Sequence, residues 1–317
     1  MNNCVFQEDL LPKVLPPLLL LEFVFGVLGN GMALWIFCFH LRPWKNSTVF
    51  LFNLALADFL LNVALPFRAI YYLKGKDWIF GDTFCRVSLF MLAMNRGGSI
   101  IFLTAVAVDR YLRVVHPHHR VNFMRMSKTI YTACALWILT ISLTIHLLSK
   151  SHQIKATNST QCESFTLGSN WVHTVYLLEV LLSLGIILFC TIRISMQLRE
   201  RHLDKHMKIK TALLCLAVVV IMFVICFLPS NVTRLLIWLK RMHEVGDCDS
   251  YQALDTAFYI TISLTYLNSM LDPVVYYFSS PTFKKIFKRA VRVSHQEIEE
   301  SSSRGNRIVD TKTVSQL

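Results

Sequence analysis

The sequence predicts an all-α membrane protein, a bundle of seven transmembrane helices followed by a short amphipathic eighth. Three observations lead there. The 317-residue chain is 54% hydrophobic and 16% charged, with a mean hydropathy of +0.47, too apolar for a soluble domain of this length. Apolar stretches able to cross a bilayer, which takes about 20 helical residues, recur at Val14–Phe39, Val49–Leu73, Thr83–Val115, Lys128–Leu148, Trp171–Met196, Thr211–Leu239 and Leu254–Phe278. Lys and Arg gather in alternate connections, at Arg42 and Lys45, Arg113 to Lys128, Arg199 to Lys210 and Lys284 to Arg292, so those faces are cytoplasmic and the N-terminus is extracellular. The net charge of +12 follows from that topology and needs no nucleic-acid partner. The chain divides into an extracellular N-terminus (1–13), the seven-span domain (14–279), the amphipathic helix (280–293) and a disordered cytoplasmic tail (294–317).

The first span is too long for a signal-peptide core, follows the acids Glu8 and Asp9 rather than basic residues, and lacks a cleavage site, so it is expected to stay in the mature chain. It carries Gly29-Asn30-Gly31, glycines for close helix contact around a buried asparagine that needs partners. The second span holds Asp58 near mid-membrane, where a carboxylate must face the bundle interior; Asn30, Asn95, Ser99, Asn268 and Asp272 are its candidate partners. Two acids among such oxygens suggest a sodium ion held by Asp58, Asn95, Ser99, Asn268 and Asp272, the alternative being a polar network filled with water.

The third span sets Cys85, Arg96 and Asp109-Arg110-Tyr111 at helical intervals, within about 40° of one face, and so joins an outer site to an inner one. Trp78 and Gly81 shape the first outer loop into a short lid. The second outer loop, Ser149 to Asn170, is polar and carries a glycosylation sequon at Asn158 on the outer side; the sequons at Asn46, on the inner side, and at Asn231, in span six, are not expected to be used. Of nine cysteines, Cys4, Cys85, Cys162 and Cys248 fall on the oxidising outer face, which implies two disulfides. Three pairings can be written; Cys85 with Cys162 and Cys4 with Cys248 is the favoured one. Pro229 in span six, after Phe223 and Phe227, and Pro273 in span seven, between Asp272 and Tyr276, remove backbone hydrogen bonds and make hinges. Phe283, Ile286, Phe287 and Ala290 form the apolar side of the last helix, expected on the inner leaflet. His116, His118 and His119 lack acid or thiol partners and read as a solvated loop.

Asn30, the LALAD run at 54–58, Asp109-Arg110-Tyr111, Trp137, Pro229 and Asp272-Pro273-Val-Val-Tyr276, set in seven spans, resemble the rhodopsin-like (class A) G-protein-coupled receptors. More narrowly, ALWIFCFH (33–40), LFMLAMNR (89–96), VVHPHH (114–119) and NSMLDPVVYYFSSP (268–281) resemble the hydroxycarboxylic acid receptors, with the oxoeicosanoid and hydroxy-fatty-acid receptors as neighbours. Two departures stand out. Ser183 replaces the proline usual in span five, and no cysteine after Tyr277 offers a palmitoyl anchor.

Arg96 lies about 16 Å along the helix from Cys85. A guanidinium at that depth costs on the order of 2.5 to 3.5 kcal/mol and needs an anion, either an internal one such as Glu179 or Glu22 or a ligand carboxylate held in a bidentate fork. The resemblance implies the ligand. Arg68 and Arg234, which alone read as snorkelling residues, would then line one positive vestibule, completed by Leu92, Ser164, Phe165, Tyr259 and Tyr266. An arginine after Pro-Phe in span two together with one in span six looks like the lactate type of the family. The resemblance also implies that Asp109 restrains Arg110 until activation, that Tyr111, Phe223, Phe227, Pro229, Asp272, Pro273 and Tyr276 form the switch, and that an inhibitory heterotrimeric G protein, arrestin and receptor kinases act at the plasma membrane. A monocarboxylate transporter is the competing class, but the spans show no inverted repeat. No nucleophile and base constellation points to an enzyme.

Overall fold

The computed structural model describes residues 10–41, 43–123, 125–149, 151–155, 159–163, 170–200, 206–242 and 248–289. Its helices are α1 (Leu11–Trp35), α2 (Asn46–Leu73), α3 (Asp82–Val115), α4 (Met126–Thr144), the short α5 (His146–Ser149), α6 (Asn170–Glu200), α7 (His206–Met222), α8 (Leu228–Met242) and α9 (Cys248–Ser279). A last helix runs over 281–289. Among the described residues six helical segments are long and apolar enough to cross a membrane, with α7 and α8 joined as one. At 32 residues α9 is long enough too, but its buried Asn268, Asp272 and tyrosines make it more polar.

Three-residue strands β1 (Gln153–Lys155) and β2 (Thr160–Cys162) pair antiparallel, a hairpin the sequence reading did not foresee. The disulfide between Cys85 and Cys162 fastens β2 to the head of α3 with the Cα atoms 5.8 Å apart. The first loop holds it from the other side. The backbone N–H of Trp78 donates to the Thr160 carbonyl at 2.7 Å, and Asp77 Oδ1 accepts from the Thr160 N–H at 2.9 Å. Cys4 and Asn158 lie outside the described residues, and of Cys248 only the backbone is described.

Helix α1 packs closely on α2 and α9, and the responsible glycines are Gly26 and Gly29. A Cβ at Gly26 would meet Asn62 Oδ1 at 2.5 Å, and one at Gly29 would meet Pro273 Cγ at 2.7 Å. Gly31, expected to share that role, has Phe59 at an ordinary 3.9 Å. Proline reshapes span six as expected, through a specific device. Pro229 has no N–H, and the chain answers with a π-helical turn at Phe223–Phe227 just before it. Phe223 and Phe227 are buried there, ring centroids 5.1 Å apart. The last helix seats Phe283 against Phe37 and Tyr276 at 5.4 and 6.1 Å, leaving Lys284, Lys285 and Lys288 exposed.

Candidate functional site

Helix α3 carries polar groups to three depths. In the middle, Asp58 Oδ1 accepts from Asn95 Nδ2 at 2.9 Å and from Ser99 Oγ at 3.4 Å, while the Tyr276 hydroxyl stands 3.1 Å from both Asp58 Oδ2 and Asn30 Oδ1 and shares its one proton between them. Asn268 Nδ2 donates to Asp272 Oδ2 at 2.8 Å, and Asn30 Nδ2 to the Ser269 carbonyl at 2.7 Å. Three further oxygens, Asn268 Oδ1, Asp272 Oδ1 and Ser269 Oγ, are buried without a hydrogen-bond partner among the described residues. This all-oxygen donor set with two acids fits a small hard cation.

Towards the outside, Arg96 is buried on α3 and donates from Nη2 to Asn231 Oδ1 on α8 at 3.0 Å. Among the described residues its Nε has no hydrogen-bond partner. The guanidinium carbons of Arg96 and Arg234 lie 5.2 and 5.0 Å from the centre of the same Tyr176 ring, so two cations share one aromatic partner, with the Phe258 ring 5.7 Å from Arg234. Neither internal acid hydrogen-bonds Arg96 among the described residues, but Glu179 lies within electrostatic reach of both Arg96 and Arg234. Both Glu22 oxygens and Glu179 Oε1 are buried without hydrogen-bond partners among the described residues, and a Cβ at Gly97 would sit 3.2 Å from Glu179 Oε1.

Arg68 is not part of that cluster. It is buried on α2, donates to the Cys162 carbonyl at 3.0 Å and the Tyr72 hydroxyl at 3.3 Å, and lies 4.9 and 5.4 Å from the Tyr71 and Tyr72 rings. Tyr259, expected in the vestibule, is engaged in the same shelf. Its hydroxyl and that of Tyr71 both donate to the Glu163 carboxylate, the latter at 2.8 Å, and Lys76 Nζ caps its ring at 3.7 Å. Lys76 also pairs with Asp255 at 3.9 Å. Tyr266 lies within electrostatic reach of both Arg68 and Arg96. Leu92 is buried in the apolar cluster with Tyr266 and Tyr72, while Ser164 and Phe165 lie outside the described residues. Glu163, Tyr176 and Asn231 were missed by sequence reasoning; position beside the lid cysteine was the one available signal for Glu163.

At the inner end the expected pairing is corrected. Asp109 accepts from Arg113 Nε at 2.9 Å, one turn away, and not from its neighbour Arg110. Successive residues on a helix point about 100° apart, while residues four apart stack on one side. Arg110 instead donates to Ser279 Oγ at 2.8 Å, and the Tyr111 hydroxyl hydrogen-bonds His116 Nε2 at 3.0 Å.

Residues 29–276 match the profile of the family described as 7 transmembrane receptor (rhodopsin family), which makes the chain a rhodopsin-like, multi-pass membrane receptor and not an enzyme. Human hydroxycarboxylic acid receptor 2 is 56% identical over 293 residues, covering 92% of this chain and 81% of the relative. Mouse hydroxycarboxylic acid receptor 1 is 48% identical over 290 residues, 90% of this chain and 83% of the relative, and human oxoeicosanoid receptor 1 is 41% identical over 287 residues, 87% and 72%. The chain belongs to the hydroxycarboxylic acid receptor family of G-protein-coupled receptors.

Proposed function

We propose that the agonist is a short hydroxycarboxylic or monocarboxylic acid of the lactate type, that Arg96 anchors its carboxylate with Arg234 beside it, and that the receptor lowers cAMP through an inhibitory G protein. One observation carries the anchoring: Arg96 is a buried cation whose only hydrogen-bond partner among the described residues is a neutral amide, with a second guanidinium on the same Tyr176 ring. A carboxylate supplies the missing charge and two acceptors in the geometry of the guanidinium fork. The polar oxygens around Asp58 and Asp272 support a sodium ion held between α2, α3 and α9. Outward topology at the plasma membrane, with arrestin and receptor kinases at the inner face, completes the reading.

The test is suppression of forskolin-stimulated cAMP by L-lactate, 3-hydroxybutyrate, butyrate and nicotinate in cells expressing wild type or Arg96→Ala at matched surface density. Arg96→Ala should raise EC50 by a factor of about 100; an equal response removes the anchor. The alternative is a receptor for oxo- or hydroxy-fatty acids, favoured by relatives 40–41% identical that are named for a hydroxyeicosatetraenoic acid and for oxoeicosanoids. Oxidised eicosanoids in the same panel separate the two, since only a longer cavity would let them act at lower concentration than the short acids.

A further inference from the structure

Asn231, in the first turn of α8, is a buried polar residue that ties two elements together. It is 2% exposed and both ends of its amide are engaged. Its Nδ2 donates to the Phe227 carbonyl at 2.6 Å, and its Oδ1 accepts from Arg96 Nη2 at 3.0 Å. Phe227 closes the π-helical turn, two residues before Pro229. Among the described residues this is the hydrogen bond that joins α3 to α8, and it joins the proposed anchor to the bend of span six.

We propose that Asn231 is a positioning residue that the ligand displaces: it holds Arg96 when no acid is bound, gives up the Nη2 donor to the incoming carboxylate, and thereby transmits occupancy of the site to the hinge at Phe227 and Pro229. The inference rests on the reading of Arg96 as carboxylate anchor.

The chemistry gives the exchange its direction. Among the described residues a single neutral amide accepts from Arg96 in the interior; Glu179 lies within electrostatic reach without bonding it and is shared with a second cation, Arg234. Both bonds have the charged guanidinium as donor, but a carboxylate adds Coulomb attraction and a second acceptor for the guanidinium fork, which the neutral amide lacks. The carboxylate therefore wins Nη2, and Asn231 keeps only its bond to Phe227. The tie between α3 and α8 is then made by the ligand or not at all.

Two substitutions push the competition in opposite directions. Asn231→Asp supplies Arg96 with a permanent carboxylate, so the acid probe must displace an equal and meets a like charge; EC50 for L-lactate, with butyrate and nicotinate as further probes, should rise by about tenfold or more. Asn231→Leu, similar in volume, removes the competitor, and EC50 should fall by about tenfold, the worth of one hydrogen bond to a charged group. Both are measured as cAMP suppression in the full-length receptor, against surface density by epitope ELISA. A merely structural role would move both variants the same way; that result, or an unchanged EC50 in Asn231→Asp, overturns the proposal. Asn231→Ser replaces the leucine variant if the latter stays inside the cell.

Arg96→Ala run alongside separates the two readings. Loss of potency there with Asn231→Asp unmoved refutes only the role of Asn231, whereas a full response refutes the anchor and the relay together. A measurement without ligand gives a further check: melting temperatures of purified wild type, Arg96→Ala, Asn231→Leu and the double variant. Non-additive shifts support the bond, and additive shifts overturn it.

Discussion

Two buried arginines in the outer half of the bundle lead opposite lives. Arg68 is surrounded by structure: the Cys162 carbonyl, the Tyr72 hydroxyl and two aromatic faces hold it under the hairpin, and Glu163 nearby binds both Tyr71 and Tyr259. Arg96 has one neutral hydrogen-bond partner among the described residues, a second guanidinium for company, and Glu179 within electrostatic reach but not bonded to it. Burial alone therefore does not mark a ligand site. What distinguishes the two is whether the protein has already met the charge with its own groups, because a desolvated cation left short of partners is stabilised only when an anion arrives.

The contrast is broken most severely at Arg96. Arg96→Ala should cost about 3 kcal/mol of agonist binding, a factor of about 100 in EC50, at unchanged surface density. Arg68→Leu should do the reverse. Losing two hydrogen bonds from a charged group under the lid should lower the melting temperature of the purified receptor by about 5 °C, with a shift in EC50 below about tenfold, the equivalent of 1.4 kcal/mol. A loss of potency in Arg68→Leu as large as in Arg96→Ala would place both arginines on the ligand and erase the distinction.

Much of this architecture was legible beforehand, because long apolar runs, alternating basic loops and prolines act locally. The depth of Arg96 and Arg68 could be counted along their helices. The direction of each side chain could not, and the vestibule of three arginines resolves in the structure into a pair on Tyr176, Arg96 and Arg234, and a separate shelf around Arg68. The hairpin went unseen because three-residue strands in a polar loop carry no period. Glu163 looked like any solvated loop acid until the Cys85–Cys162 bridge folded it under. Asn231 read as an unused sequon, and only the tertiary meeting with Arg96 gives it a partner. At the inner end the signal was present and misread. Asp109 and Arg113 stand at the spacing that favours pairing on a helix, but the adjacent Arg110 drew the attention.

A smaller effect is expected at the shelf. Tyr259→Phe removes one of two donors to Glu163 while keeping the ring under Lys76. The lost bond is worth about 1 kcal/mol, so the hairpin should open more often and a bound radiolabelled acid should dissociate about fivefold faster, with EC50 changing less because association quickens too. Unchanged dissociation would show that the hairpin does not lie on the exit path.

The smallest effect belongs to the inner end, where Asp109 and Arg113 form a partly exposed pair, 12% and 31% accessible, of the kind worth about 0.2–1 kcal/mol. Arg113→Ala frees the Asp109 carboxylate beside Arg110, whose present partner is the neutral Ser279 hydroxyl. A charged acceptor competes well against a neutral one, so Asp109 should draw Arg110 away from the surface offered to the G protein. The expected outcome is a basal rate of GTPγS binding in membranes lower by about threefold, in keeping with an energy below 1 kcal/mol. A rise in basal binding would instead mean that the bond between Arg113 and Asp109 holds the resting arrangement, and that the three charged residues at the end of α3 work in the opposite sense.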